Sequence, residues 1–192
     1  MKDKKLYTEV RKLSTSTFRE DGTLRSFKEQ LFLWKRGKLK SGDLVIISIK
    51  TILPIIPKIK NLPLVIKQKV LQKIIYDKHE INYTYFLDLE ELLINSPLAF
   101  ESYRKPNTYI IMLNKKDANN NQLICIIEIN KYKQQMFVNE INSIYTKDIQ
   151  RLINKTEKAK KKIFINKKTK KMATREGLQI PKLSSHVNNS IT

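Results

Sequence analysis

Cysteine occurs once, at Cys125, and glycine only four times in 192 residues. A single thiol excludes an internal disulfide and any zinc site built on cysteines. Histidine is almost as scarce, with only His79 and His186. The His-rich ligand sets of most metalloenzymes are therefore excluded, and neither a metal nor another cofactor is expected. Neither glycine-rich phosphate loop, G-x-x-x-x-G-K-[ST] or G-x-G-x-x-G, is present, nor is the G-x-S-x-G elbow of serine hydrolases. Long apolar runs are missing too. The most hydrophobic stretch, Leu44 to Ile59, is interrupted by Lys50, Pro54, Pro57 and Lys58. It falls short of the roughly 18–20 apolar residues that cross a bilayer. The charged residues after Met1 have no apolar run behind them, so no secretory signal is expected. The protein is expected to be cytoplasmic, without a membrane partner.

Acids are the other deficit. Lys and Arg number 38 against 18 Asp and Glu, a net charge of +20 and a pI near 9.9. The excess is uneven. Residues 1–60 carry 15 Lys and Arg against 6 acids, residues 61–150 carry 11 against 10, and residues 151–192 carry 12 against 2. AT-rich coding bias accounts for abundant Lys, Asn and Ile, but not for so few acids in the last forty residues. A surface of this kind attracts polyanions, so nucleic acid is the expected partner. Hydrophobic residues still make up 41% of the chain, enough for a core.

Periodicity organises the middle of the chain. Residues 1–43 mix short apolar and basic pieces around the turn signals Asp21-Gly22, Gly37 and Ser41-Gly42-Asp43. They read as a basic accessory arm, with Phe27, Leu31 and Trp34 at helical spacing. Leu44 to Ser48 reads as a strand. Ile66, Val70 and Ile74, joined by Leu71 and Ile75, predict a helix over Ile66–Lys78. A second helix is predicted from about Thr84 to Ile94, capped by Asn82 or Thr84, with Phe86, Leu89 and Leu93 inward. Tyr109–Leu113 and Leu123–Ile127 predict an antiparallel hairpin. Met136–Tyr145 follows as a third strand, Asp148 to about Lys158 as a helix, Ile163–Ile165 as a fourth strand and Leu178–Ile180 as a short fifth. The fold class expected is α+β, with N-terminal helices packed on a twisted antiparallel sheet of about four to five strands.

What remains chemically is metal-free work by His, Lys, Ser, Thr and Tyr. These types suit cleavage of RNA by its own 2′-hydroxyl, which needs a proton acceptor, a proton donor and cations facing the phosphorane. His79 follows a predicted helix C-terminus, where the dipole favours imidazolium. Taken alone, it reads first as a solvated helix-end residue. Ser143 and Tyr145, at i and i+2, share one side of a regular strand, and Lys147 follows them. Asn139 and Glu140 are polar residues in the same strand, and Glu140 is the natural base if His79 is not. Lys158–Lys162 and Lys167–Lys171 are the densest basic clusters, suited to phosphate contacts that carry no sequence information.

The ordered segments resemble a known family. They are Leu62–His79, the acidic helix Leu87–Pro97, the strand Val138–Lys147, Ile163–Lys168, Gly177–Pro181 and the closing Asn189–Thr192. In that order they resemble the carboxy-terminal domain of phage MuF-type head proteins and related toxins, grouped with the barnase–EndoU–colicin–RelE nucleases. The resemblance spans residues 44–192 and implies a nuclease-like domain there. It implies that Lys78 and His79 form the family's Lys-His pair. Ser143, Tyr145 and Lys147 then fall on its strand-end motif, and Asn166, Lys167 and Lys168 on its late strand. Thr146 stands where that motif carries glycine. Implied roles are catalysis for His79, Ser143, Tyr145 and Lys147, and substrate binding for Lys78, Asn139, Asn166, Lys167, Lys168 and Thr192. The implied activity is a metal-independent endoribonuclease of a phage or mobile element, a toxin or effector acting on RNA such as tRNA and held in check by an immunity or antitoxin protein. The alternatives are an inactive module that binds RNA or a host factor, and a head-associated structural protein.

Overall fold

A computed structural model describes residues 2–57, 59–77, 81–117 and 119–166. Helices α1 (Lys2–Arg11) and α2 (Phe27–Lys35) precede strands β1 (Leu44–Ser48) and β2 (Leu64–Lys67). Next come α3 (Gln68–Gln72), a π-helical turn (Lys73–Asp77), α4 (Thr84–Leu87) and α5 (Leu89–Ile94). The chain continues through β3 (Leu98–Glu101), β4 (Thr108–Lys116), β5 (Gln122–Lys133), β6 (Met136–Lys147), α6 (Ile149–Lys158) and β7 (Ile163–Ile165). The α+β class is the one expected. The sheet is larger than expected and is mixed, with seven strands among the described residues in the order β1-β2-β6-β5-β4-β3-β7. Every neighbouring pair is antiparallel except β2 and β6, which run parallel, with Leu64 opposite Asn139 and Ile66 opposite Ile141.

Two expectations fail for identifiable reasons. The helix predicted over Ile66–Lys78 gives up its start to β2. Leu64, Val65 and Ile66 follow Pro63 and are fully buried between β1 and β6. Apolar, β-branched residues suit an interior strand covered on both faces. Helix α3 then turns only as far as Gln72 before widening into the π turn, a local change often found at functional sites. There Ile74 and Ile75 remain inward, while Tyr76 is half exposed and stacks on Trp34 at 6.0 Å between centroids. The helix predicted over Thr84–Ile94 breaks into α4 and α5 at Asp88 (φ −111°, ψ 12°). Its inward residues Phe86, Leu89 and Leu93 are buried, and Asn82 accepts from the Thr84 amide at 2.9 Å. Strand β3, directly after Pro97, carries no alternation to announce it. The fifth strand predicted at Leu178–Ile180 lies outside the described residues.

The sheet buries apolar side chains on both faces. On one face, helices α2 to α5 pack over Val45, Ile47, Leu64, Ile66, Ile111, Cys125, Ile127 and Ile141. On the other face, α6 covers Leu98, Phe100, Ile110, Met112 and Ile124. That face is covered at its opposite end by Val10, Leu13 and Phe18 against Leu44, Ile46, Val65 and Val138. The N-terminal segment thus contributes to the core. Helix α2 begins with a capping box between Ser26 and Glu29. Its Gln30 is fully buried; the amide nitrogen donates to the Ile46 carbonyl at 2.9 Å, and the amide oxygen accepts from the Ile46 N–H at 2.7 Å. A side chain thereby occupies the hydrogen-bonding edge of β1.

Removing this amide strands both Ile46 groups away from water. Gln30→Ala is expected to lower unfolding stability by about 2 kcal/mol. A urea titration should show an earlier midpoint at unchanged slope; an unmoved midpoint refutes this account of the edge.

Candidate functional site

Two β-bulges decide which polar side chains meet. In β6, Ser143 lies opposite Ile126 and Ile141 opposite Ile127, leaving Asn142 as the extra residue. In β5, Glu128 pairs with Glu140 and Lys131 with Val138, so three steps on one strand match two on the other. Each bulge shifts the alternation by one. Glu140 and Ser143, on opposite sides of a regular strand, therefore face the same way. So do Glu128 and Lys131. The resulting face carries Glu128, Lys131, Lys133, Glu140, Ser143, Tyr145 and Lys147, between the part covered by α6 and the part covered by the N-terminal segment.

Glu140 is the centre of this strip, with its side chain only 1% exposed. Lys131 Nζ lies 2.7 Å from one carboxylate oxygen and Lys133 Nζ 3.6 Å from the same oxygen; Lys67 Nζ is 3.1 Å from the other. Lys131 also reaches Glu128 at 2.8 Å, and Glu128 pairs with Lys105 at 2.9 Å and accepts from Asn142 Nδ2 at 3.0 Å. Burial acts to raise the Glu140 carboxyl, but Lys131 and Lys67 outweigh it and hold the group below its ordinary value. The same contest leaves Glu128 at about 2, with Lys131, Lys105 and Asn142 prevailing over burial. Lys131 is raised, since its two carboxylates outweigh burial. Lys133 is lowered by burial and by its neighbour Lys67, against the pull of Glu140. Four ammoniums thus surround two ionised carboxylates.

Ser143, Tyr145 and Lys147 are each partly buried along β6, opposite Ile126, Ile124 and Gln122. Tyr145 packs against the apolar cluster under α6. Burial raises its phenol, with Tyr103 adding to the shift and Arg104 opposing it, so the hydroxyl is a proton donor at neutral pH. Asn139 faces the other way, paired with Leu64 of β2, and is fully buried. Its side-chain oxygen accepts from the Asn130 N–H at 3.2 Å, steadying the β5 bulge where Asn130 takes φ 55°. Asn166 follows β7 and donates to the Ser96 carbonyl at 3.2 Å. Strand β7 lies four strand spacings from β6, roughly 19 Å, so Asn166 does not meet the β6 residues. Lys78, His79, Lys167, Lys168 and Thr192 lie outside the described residues.

Lys67, Lys105, Glu128, Lys131 and Lys133 escaped the sequence reading. For Glu128, Lys131 and Lys133 the signal is a set of charges along one strand, but alternation alone puts Glu128 and the two lysines on opposite sides; Lys105 lies in the β3–β4 connection. Among the described residues, no group of three or more His, Cys, Asp or Glu is placed to hold a metal ion. No helix among them is long and apolar enough to cross a membrane.

A family model, the phage MuF-C-terminal domain, matches residues 70–172. The chain belongs to this family. Membership supports a phage origin. The match opens within α3 and takes in β3 to β7, so the MuF-C region contains Glu128, Lys131, Lys133 and Glu140, while Lys67 and the N-terminal helices lie upstream. It is shorter than the 44–192 span of the resemblance. No curated protein and no solved structure matches the chain.

Both carboxylates titrate lower in the folded chain than when unfolded. Their contribution to stability is therefore fully present above the ordinary glutamate value of 4.5 and is lost as pH falls below it, for Glu128 towards about 2. Thermal melts between pH 6 and pH 2.5 should show a falling midpoint, and Glu128→Gln should flatten that fall. An equally steep loss in the variant contradicts the assignment.

Proposed function

We propose that this MuF-C protein is a metal-independent endoribonuclease, a phage toxin or effector that cleaves RNA in the host cytoplasm. What carries the reading is the constellation on one sheet face: an ionised carboxylate among three ammoniums, with a hydroxyl and a phenol on the same strand. Its residue types match the needs of 2′-hydroxyl transesterification. A base takes the 2′-hydroxyl proton, O2′ attacks phosphorus and the P–O5′ bond breaks. A donor then protonates the departing oxygen, leaving a 2′,3′-cyclic phosphate and a 5′-hydroxyl. Glu140 is suited to the base, Lys67 and Lys133 to the phosphorane charge, and Tyr145 and Ser143 to donation towards the phosphate. His79 and Lys147 are the further acid–base group and phosphate clamp that the family resemblance implies. Helices α3 to α5 followed by the antiparallel β3–β6 meander support the barnase/EndoU/RelE-like reading of residues 44–192, to which β1 and β2 add a parallel-joined edge.

One observation favours a second reading. Glu140 is almost entirely covered and engaged by its lysines, so substrate has to displace an ammonium to reach it. A chain in which that clasp never opens binds RNA without cutting it.

Incubation of the pure protein with total RNA in EDTA distinguishes these. Cleavage is expected, with loss of about 100-fold or more in His79→Ala and Glu140→Gln and a clear loss in Lys147→Ala. Tyr145→Phe, which keeps the ring packing, guards against a folding artefact. Cleavage undiminished in all four variants overturns the assignment. Salt-dependent RNA binding without any product selects the second reading.

A further inference from the structure

Beside the Glu140 cluster, a groove of about 510 Å³ opens between the Ser41–Leu44 turn, the β2–α3 junction and the β5–β6 turn. This volume lies within the range of ligand clefts. Its walls carry three ammoniums, Lys67, Lys69 and Lys133, and one acid, Asp43. The Asp43 carboxylate is already engaged, accepting from the Ser16 backbone N–H at 2.8 Å and from the Ser16 hydroxyl. Nor does Glu140 balance the lysines, because it is shared among Lys67, Lys131 and Lys133. The groove therefore holds uncompensated positive charge.

Its frame is built to stay in place. Gln68 Nε2 donates to the carbonyls of Lys40 (2.7 Å) and Asp43 (3.0 Å), tying the start of α3 to the turn. Gly42 has φ 86°, a value that favours glycine. Across the groove, Gln134 and Gln135 form a two-residue hairpin turn with φ 41° and 75°, a geometry usually taken by Asn-Gly. Turned so that its nitrogen faces them, the Gln134 amide donates to the carbonyls of Lys12 and Leu13 at 3.1 and 3.2 Å and offsets that strain. Strain held by surrounding contacts is a mark of functional positions, and a fixed cationic wall binds an anion without first ordering its side chains.

We propose that this groove is a phosphate subsite that holds the backbone of an RNA strand beside Glu140. The ligand's identity as RNA rests on the proposed function; the preference for a phosphate rests on the groove alone. Most of its wall lies upstream of residues 70–172, so it is supplied by a part of the chain outside the MuF-C match.

The test uses the full chain with two probes, inorganic phosphate and a fluorescent single-stranded oligoribonucleotide. Phosphate should shift the backbone amide resonances of Gly42, Lys69 and Gln134. Lys69→Ala and Lys133→Ala should each weaken oligonucleotide binding about tenfold, the lower end of the worth of one charge-assisted hydrogen bond. Each should also reduce the log–log salt slope by about 0.7, whereas Lys115→Ala, on exposed β4 surface, sets the effect of losing any one charge. Groove variants that behave like Lys115→Ala, with no amide shifts in phosphate, overturn the subsite and leave the RNA reading intact. Amide shifts in phosphate with no oligonucleotide binding retain the subsite and sink the RNA reading.

Discussion

The carboxylate of Glu140 is the constraint around which the sheet is arranged. A charge removed from water is tolerated only with opposite charges close by, and here they come from three places in the chain: Lys67 at the end of β2, and Lys131 and Lys133 on β5. Bringing them together requires β2 to lie parallel beside β6, and β5 and β6 each to carry a bulge. Without the bulges the same residues fall on both faces, and the sheet presents scattered charges instead of one ionic strip. Asn139, buried on the reverse face, steadies the β5 bulge through Asn130. One strand therefore presents its chemistry on one side and anchors its shape on the other.

What the sequence made legible follows how local each signal is. The β4–β5 hairpin, α6 and β7 rest on short apolar runs and caps, and they lie where the residues predict. Strand β2 did not, because Leu64, Val65 and Ile66 also continue the apolar stripe of the following helix, and only their partners on both sides select the extended form. Strand β3 is four residues long and pairs with β4 and with β7, far along the chain. Its identity is wholly non-local. The site suffered from the same limitation. Spacing put Ser143 and Tyr145 together correctly on one side, yet strict alternation sent Glu140 away from them, since a bulge is a matter of pairing rather than composition. Gln30 offers no hint in sequence that it serves as the neighbour of an edge strand.

The relation between the family match and the cationic strip is uneven. The MuF-C segment provides both glutamates and most of their lysines, while the upstream segment provides Lys67, the turn at Gly42 and the apolar cover of Val10, Leu13 and Phe18. The N-terminal residues thus bound the strip on one side, much as α6 bounds it on the other. Charge distribution along the chain, which sets a nearly balanced middle between two basic ends, describes composition only. In three dimensions the middle supplies a cationic surface as well, through the local surplus of lysine around two carboxylates.

The parallel alignment of β2 with β6 has a consequence for the order of events during synthesis. Leu64 leaves the ribosome long before its partner Asn139 exists, so the β1–β2 hairpin must wait with one flank unsatisfied while the intervening helices and strands are made. Long-range pairing of this kind closes late. A chain translated only as far as β5 consequently cannot gather Lys67, Glu128 and Glu140, and whatever chemistry they support is withheld until β6 has emerged.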